Sequence, residues 1–197
     1  MRTYFTDQQL LNVFQDLDRP SVLVHQSVMP AEPLFTLMDP ELARRRADQL
    51  FIIMRGMLSQ VLPPNADIRH IGATAVPGCL TKGDLDIVVR VPAEDFAAAD
   101  AVLASKVRRN EGSVRSASFS AFEDSSNDPH IGLQLTAIDG PYDFFHWFHE
   151  ALLRSPWLVI EYNDLKRHHD GEEMKLYRAA KDAFIEKVLR DFRPGSR

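Results

Sequence analysis

The sequence predicts an α/β (α+β) fold: a small mixed β-sheet packed on helices, followed by a helical C-terminal part. Three observations predict it. Leu85, Ile87, Val89 and Val91 alternate with Asp84, Asp86, Val88 and Arg90, the period of two that belongs to a strand. Asp39-Pro40-Glu41 opens a helix as N-cap, first helical residue and first-turn acid, and Leu42, Leu50, Ile53, Met54, Met57 and Val61 continue it as an apolar stripe. From Pro141 onward the apolar and aromatic residues recur at helical spacing, interrupted at Ser155-Pro156 and at Gly171.

The elements follow in order. Thr6 and Gln9 form a capping box before Leu10, Leu11, Phe14 and Leu17, so a short helix opens the chain, and Arg19-Pro20 ends it. It reads as a packing arm or a dimerisation element. Ser21 to Met29 reads as a strand. Residues 1–29 thus form an extension and residues 30–197 a domain. The helix from Pro40 runs to about Gln60 and stops at Pro63-Pro64-Asn65, with Arg44, Arg45 and Arg46 on a solvated face. Pro92 to Arg109 reads as a helix and Glu111 to Phe122 as a strand, its extended pattern starting at Val114. Glu123 to Pro129 reads as a polar loop, and His130 to Ile138 as a further strand. Three helices close the chain: Asp143 to Leu153, Ser155 to about His168, and Glu172 to Phe192.

The chemistry concentrates in Arg69 to Val91. Gly72-Ala73-Thr74 is small and lets the backbone come close to a ligand. Val76-Pro77-Gly78 has turn composition. Period two places Asp84 and Asp86 on one face, either as the solvent side of an edge strand or as a carboxylate pair that binds a hard cation such as Mg²⁺. Lys82 adds a positive charge for phosphate.

Gly72-Ala73 followed by Asp84-Leu85-Asp86-Ile87 resembles the signature of the nucleotidyltransferase superfamily that includes DNA polymerase beta. More closely, His70-Ile71-Gly72-Ala73-Thr74-Ala75-Val76-Pro77-Gly78, with Thr81-Lys82 and Leu85-Asp86-Ile87, resembles the GrpB-like family. Its hallmark runs H-V/I-G-S-T-A/S-V-P-G-L-x-x-K-P-I-x-D-I. Leu153-Arg154-Ser155-Pro156, Glu161-Tyr162-Asn163-Asp164-Leu165-Lys166 and Tyr177 to Ile185 resemble the C-terminal motifs of that family. Departures from it include Ala73 where the family has Ser, Cys79 where it usually has Leu, Asp84 where it often has Ile, and Gln134 at or near its second histidine after His130.

The resemblance implies a nucleotidyltransferase-like fold and a Mg²⁺- (or Mn²⁺-) dependent transfer of a nucleoside monophosphate from an NTP to an acceptor. The alternative is a catalytically inactive nucleotide- or phosphate-binding or interaction domain of the same fold. Asp84 and Asp86 would hold the metal and carry catalysis. Gly72, Ala73, Thr74, Lys82, Lys166 and Lys181 would meet the nucleotide and its phosphates. Lys166 and Lys181 read equally as lysines covering apolar helix faces. His70, His130 and Gln134 are further cleft candidates. Superfamily relatives add a third carboxylate from a neighbouring strand; here Glu123 and Asp128 are the candidates.

Composition sets the remaining expectations. A formal charge of −5 argues against non-specific nucleic-acid binding. No apolar run reaches membrane-span length, the N-terminus lacks a signal pattern, and the lone Cys79 fits a reducing compartment, which together read as cytoplasmic. A homo-oligomer through the N-terminal segment stays open. Cys79 reads as a buried apolar residue, and the aromatics of residues 143–153 as core in preference to a base-stacking platform.

Overall fold

A computed structural model describes residues 33–192 of the chain. The N-terminal helix and strand expected over residues 1–29 lie outside the described residues. Helix α1 (Pro40–Ser59) begins as its sequence dictates: the Asp39 carboxylate accepts from the Leu42 N–H at 2.6 Å, and Pro40 takes a first-turn position where no N–H is needed. Its stripe is rotated from the predicted one. Ala47, Leu50, Phe51, Met54 and Leu58 face the sheet, whereas Ile53 and Met57 point to solvent.

Five strands follow: β1 (Asp67–Ile71), β2 (Leu85–Val91), β3 (Arg108–Arg109), β4 (Phe119–Asp124) and β5 (Ile131–Ala137). They form one mixed sheet in the order β1-β2-β5-β4-β3. β2 is an interior strand, antiparallel to β1 and parallel to β5, with Asp86 opposite Ile71 on one side and Gly132 on the other. Period two then divides the sheet. Leu85, Ile87, Val89 and Val91 join Ile131, Leu133 and Leu135 in the core beneath α1 and helix α2 (Phe96–Ala104). Asp86, Val88 and Arg90 face the other way with Gly132, Gln134 and Thr136.

Helices α3 (Phe145–Arg154), α4 (Pro156–His168) and α5 (Met174–Phe192) lie on that second side, so helices cover both faces of the sheet. An ion network docks them. Arg90 donates to both Asp143 oxygens at 2.5 and 2.6 Å and to Asp67 at 2.9 Å, and Arg69 joins Asp67 to Glu150 of α3. The fork to buried Asp143 raises the Arg90 pKa above its ordinary value. Burial works to raise the Asp67 carboxyl, but its two arginine partners overcome that and hold it low. No helix among the described residues is long and apolar enough to cross a membrane.

The middle of the chain departs from its pattern. The helix expected over Pro92–Arg109 ends at Ala104. Arg109 forks onto Asp100 at 2.8 Å and lies over the Phe122 ring, which turns the chain back into β3. The strand expected from Val114 begins at Phe119. Before it, short polar side chains capture the backbone: Asn110 accepts from the Gly112 N–H, and Ser116 from the Ser118 N–H. Glu123 and Asp124, expected in a loop, extend β4 because Arg108 pairs with Glu123 across β3 and both residues register with β5.

Candidate functional site

The centre of the site is a contact between the glycine turn and the strand carboxylate. Gly72 follows β1 with φ +75° and ψ −170°, a backbone state that side chains avoid, and caps the 3₁₀ turn Ala73–Ala75. A Cβ on Gly72 would stand 2.2 Å from Asp86 Oδ2, so only glycine lets the turn lie against this carboxylate. Gly132 on β5 is similar: its Cβ would lie 3.3 Å from Asp86 Oδ1 and 3.6 Å from Gln134 Nε2. The Asp86 carboxylate therefore sits between two glycines on neighbouring strands.

Asp84 lies just before β2, not in it, because the ladder starts where the Leu85 N–H donates to the His130 carbonyl at 2.9 Å. Its carboxylate meets Lys82 Nζ at 2.6 Å, with His130 Nδ1 at 3.9 Å. Gln134 Oε1 is buried and finds no hydrogen-bond partner among the described residues. Two carboxylates and an orphaned amide oxygen thus line one cleft, oxygen donors of the kind a hard cation such as Mg²⁺ prefers. No cluster of three or more His, Cys, Asp or Glu side chains among the described residues could hold a metal by itself.

These groups open onto a cleft of about 150 Å³ between the sheet and the C-terminal helices. Helix α4 grips the loop that forms its rim. Asn163 accepts from the Leu80 N–H and donates to the Gly78 carbonyl, both at 2.8 Å. Lys166 donates to the Leu80 carbonyl at 2.5 Å and to Cys79 Sγ at 3.1 Å, and its ammonium lies 3.7 Å from the Tyr162 ring centroid. Lys166 is 1 % exposed, so it does not snorkel. Burial pushes its amine down to about 8, helped by Lys181 and opposed by Cys79 and Asp86. Burial likewise raises the Tyr162 phenol above its ordinary value; its hydroxyl meets that of Tyr177 at 3.4 Å.

Asp84, Asp86, Gly72, Ala73, Lys82, Lys166, Lys181 and Gln134 all line this cleft. Three other candidates stand elsewhere. His70 faces α1 on the opposite side of the sheet, 5.3 Å from the Phe51 ring and 3.2 Å from Asp48. Thr74 is buried behind the turn, and its hydroxyl donates to the Asp84 carbonyl at 2.8 Å. His130 sits at the edge, beside Asp84 and outside the cleft wall. Neither candidate third carboxylate reaches the cleft: Glu123 pairs with Arg108, and Asp128 with Arg46 on the surface.

The chain reading missed part of the wall. Asp182, Tyr162 and Tyr177 line the cleft, as do Phe144, Phe145 and Phe148. Phe144 packs with Ile185 and Leu189 in the core, as expected of these aromatics, and it also lines the cleft. The signal for α5 was present: Tyr177, Lys181 and Ile185 recur every four residues, so one helix face looks into the site. Arg44, expected on a solvated face, instead donates to the Val76 carbonyl at 2.7 Å and anchors the far end of the turn.

Comparison with known proteins identifies the family. Residues 41–191 match the family model described as GrpB protein. Over 130 residues the chain is 38% identical to a UPF0157 protein of Vibrio cholerae, covering 65% of this chain and 68% of that protein. The crystal structure of conserved protein GrpB from Enterococcus faecalis matches with a TM-score of 0.61 at 19% identity, over 79% of this chain and 94% of that one. That shared fold is a mixed sheet with helices on both faces. The Cid1 poly(U) polymerase, in a form bound to MgATP, matches with a TM-score of 0.46 at 10% identity, over 66% of this chain and 42% of that one.

Proposed function

The chain belongs to the GrpB family, and from that premise we propose that its cleft binds an NTP with Mg²⁺ or Mn²⁺ and transfers the nucleoside monophosphate to an acceptor. The observation that supports the reading is the close packing at Gly72, where an added Cβ would stand 2.2 Å from Asp86 Oδ2, so a small-residue turn of the kind that accepts phosphate lies beside that carboxylate. Residues 30–197 would form the transferase domain and residues 1–29 an extension of it.

In this reading Asp84 and Asp86 hold the metal, which neutralises phosphate charge when bound. Gly72 and Ala73 offer backbone N–H groups to the triphosphate. Lys82 and Lys181 add charge from opposite walls. Lys166 keeps its donors on Leu80, Cys79 and Tyr162, so it acts on the ligand through its field and through the loop it holds. The aromatic wall excludes water and offers faces to a base. An acceptor hydroxyl or amine attacks the α-phosphorus, the bridging P–O bond to the β-phosphate breaks, and pyrophosphate leaves with the electron pair. Asp182, the third carboxylate on the wall, would take the acceptor proton in this reading. Catalysis then rests on placement and electrostatics.

A second reading, a nucleotide- or phosphate-binding domain without catalysis, draws on two observations. Lys82 occupies one side of Asp84, and an amide, Gln134, stands on the strand where a third acid would serve. Calorimetric titration of the whole chain with a non-hydrolysable NTP, with and without Mg²⁺, tests both. The transferase reading expects Mg²⁺-dependent binding. Equal binding without the metal favours the second reading, and no binding in either condition refutes both.

A further inference from the structure

Thr74 is 1 % exposed and its hydroxyl owns one hydrogen. That hydrogen goes to the Asp84 carbonyl at 2.8 Å. The oxygen also stands 2.9 Å from His70 Nε2, so towards the imidazole it can only accept. His70 Nε2 must therefore carry the proton. We propose that His70 and Thr74 are positioning residues: a buried relay, imidazole to hydroxyl to carbonyl, locks the Gly72–Ala73 turn to the carboxylate segment at Asp84.

The need for such a tie follows from the topology. Turn and carboxylates come from the two ends of an eleven-residue connector, 73–83, that holds Pro77, Gly78 and Gly83. Asp84 precedes the β2 ladder, and the Thr74 hydroxyl bonds its carbonyl. The relay ties that carbonyl to the turn at the base of the connector.

Helix α1 braces the relay from behind. Arg44 holds the Val76 carbonyl, Phe51 packs on the imidazole, and Asp48 meets Nδ1 at 3.2 Å. Arg44 and Asp48 are one helical turn apart, so one face of α1 steadies both ends of the turn. Burial holds the ring neutral at pH 7, with its pKa lowered to about 4 in spite of Asp48. Nδ1 is then a bare acceptor. It turns its lone pair on the Asp48 carboxylate, itself only an acceptor, a repulsion that a donor amide at position 48 would relieve.

The functional half of this inference rests on the nucleotide reading of the cleft; the structural half does not. The test uses the full chain and two readouts. One is hydrogen exchange at the Ala75 and Val76 amides, which bond the Gly72 and Ala73 carbonyls at 3.3 and 3.2 Å. The other is affinity for a non-hydrolysable ATP analogue with Mg²⁺. Thr74→Val removes the hydroxyl at constant shape. It is expected to speed turn exchange and weaken the analogue by about tenfold each, the scale of one buried hydrogen bond. Thr74→Ser, which keeps the hydroxyl, and Asp48→Asn should stay within about twofold of the parent.

Parent-like exchange and affinity in Thr74→Val would overturn the proposal, as would ¹⁵N spectra of the parent showing the His70 proton on Nδ1. If Thr74→Val does not fold, His70→Leu against His70→Gln poses the same comparison, since Gln retains a donor near Nε2. If the parent itself binds no analogue, the nucleotide reading fails. Turn exchange and the tautomer then decide the relay alone.

Discussion

Replacing Gly72 with alanine puts a methyl group where the Asp86 carboxylate already stands. The built Cβ lies 2.2 Å from Oδ2 and 3.0 Å from both Cβ and Cγ of Asp86. Asp86 is on an interior strand, paired on both sides, so its backbone cannot retreat. The carboxylate must rotate away, and its place against Gly132 is lost. The backbone state at Gly72 adds a cost of about 1–3 kcal/mol for any other residue. With the clash, we expect a loss of about 2–4 kcal/mol, or a fall in Tm of roughly 5–15 °C for a chain of this size. Gly78→Ala is the control. Its φ is +73° but nothing stands within 4 Å of the added Cβ, so only backbone strain of about 1 kcal/mol applies. Urea denaturation of both variants, beside Mg²⁺-NTP titration, separates the two effects. If Gly72→Ala is as stable as Gly78→Ala and binds like the parent, the contact does not organise the site.

Three further expectations concern charge. Asp86→Asn should abolish Mg²⁺-supported NTP binding and leave the melting temperature near that of the parent, whereas Asp84→Asn, already shared with Lys82, should retain part of it; calorimetry beside thermal melts checks both. Arg90→Met leaves Asp143, 3 % exposed, without its fork, and should cost about 3–5 kcal/mol in urea unfolding, the usual loss when one partner of a buried pair is removed. The His70 ring gives up its proton at about 4 when folded and at 6.5 when unfolded. Between those values the unfolded chain binds a proton that the folded chain does not, so stability falls as the pH drops from 6.5 towards 4, by on the order of 2–3 kcal/mol from this group. Burial lowers His146 and His149 as well, so His70→Gln should flatten part of that acid-side loss and leave stability above pH 7 with little slope change.

Local signals account for most of the fold. Asp39-Pro40 caps α1 wherever it lies, and the alternation from Leu85 to Val91 makes a strand because one face is buried entirely. The nine-residue block from His70 to Gly78 marked the site, since Gly72 is needed for a contact within its own neighbourhood. The rest depended on partners distant in sequence. Arg109 reads as the end of a helix until Asp100 and Phe122 are beside it. Val114 to Ser118 has an extended pattern, but its serines bond their own backbone. Lys166 looks like any helical lysine, and its burial comes from Leu80, Cys79 and Tyr162, two of them more than 80 residues away. His70 sits in the most recognisable motif of the chain, yet period two turns it to α1 while Ile71 and Gly72 face the cleft. Asp182 carries no motif of its own, and only the packing of α5 against the sheet brings it in.

A crystal of the full chain soaked with a non-hydrolysable NTP and Mn²⁺ tests the central assignment most directly. The account predicts anomalous density for manganese against the Asp86 and Asp84 carboxylates, with the triphosphate along the Gly72–Ala73 turn and the base among Phe144, Phe148 and Tyr177. Manganese bound elsewhere, or a nucleotide that avoids the Gly72 turn, would contradict it.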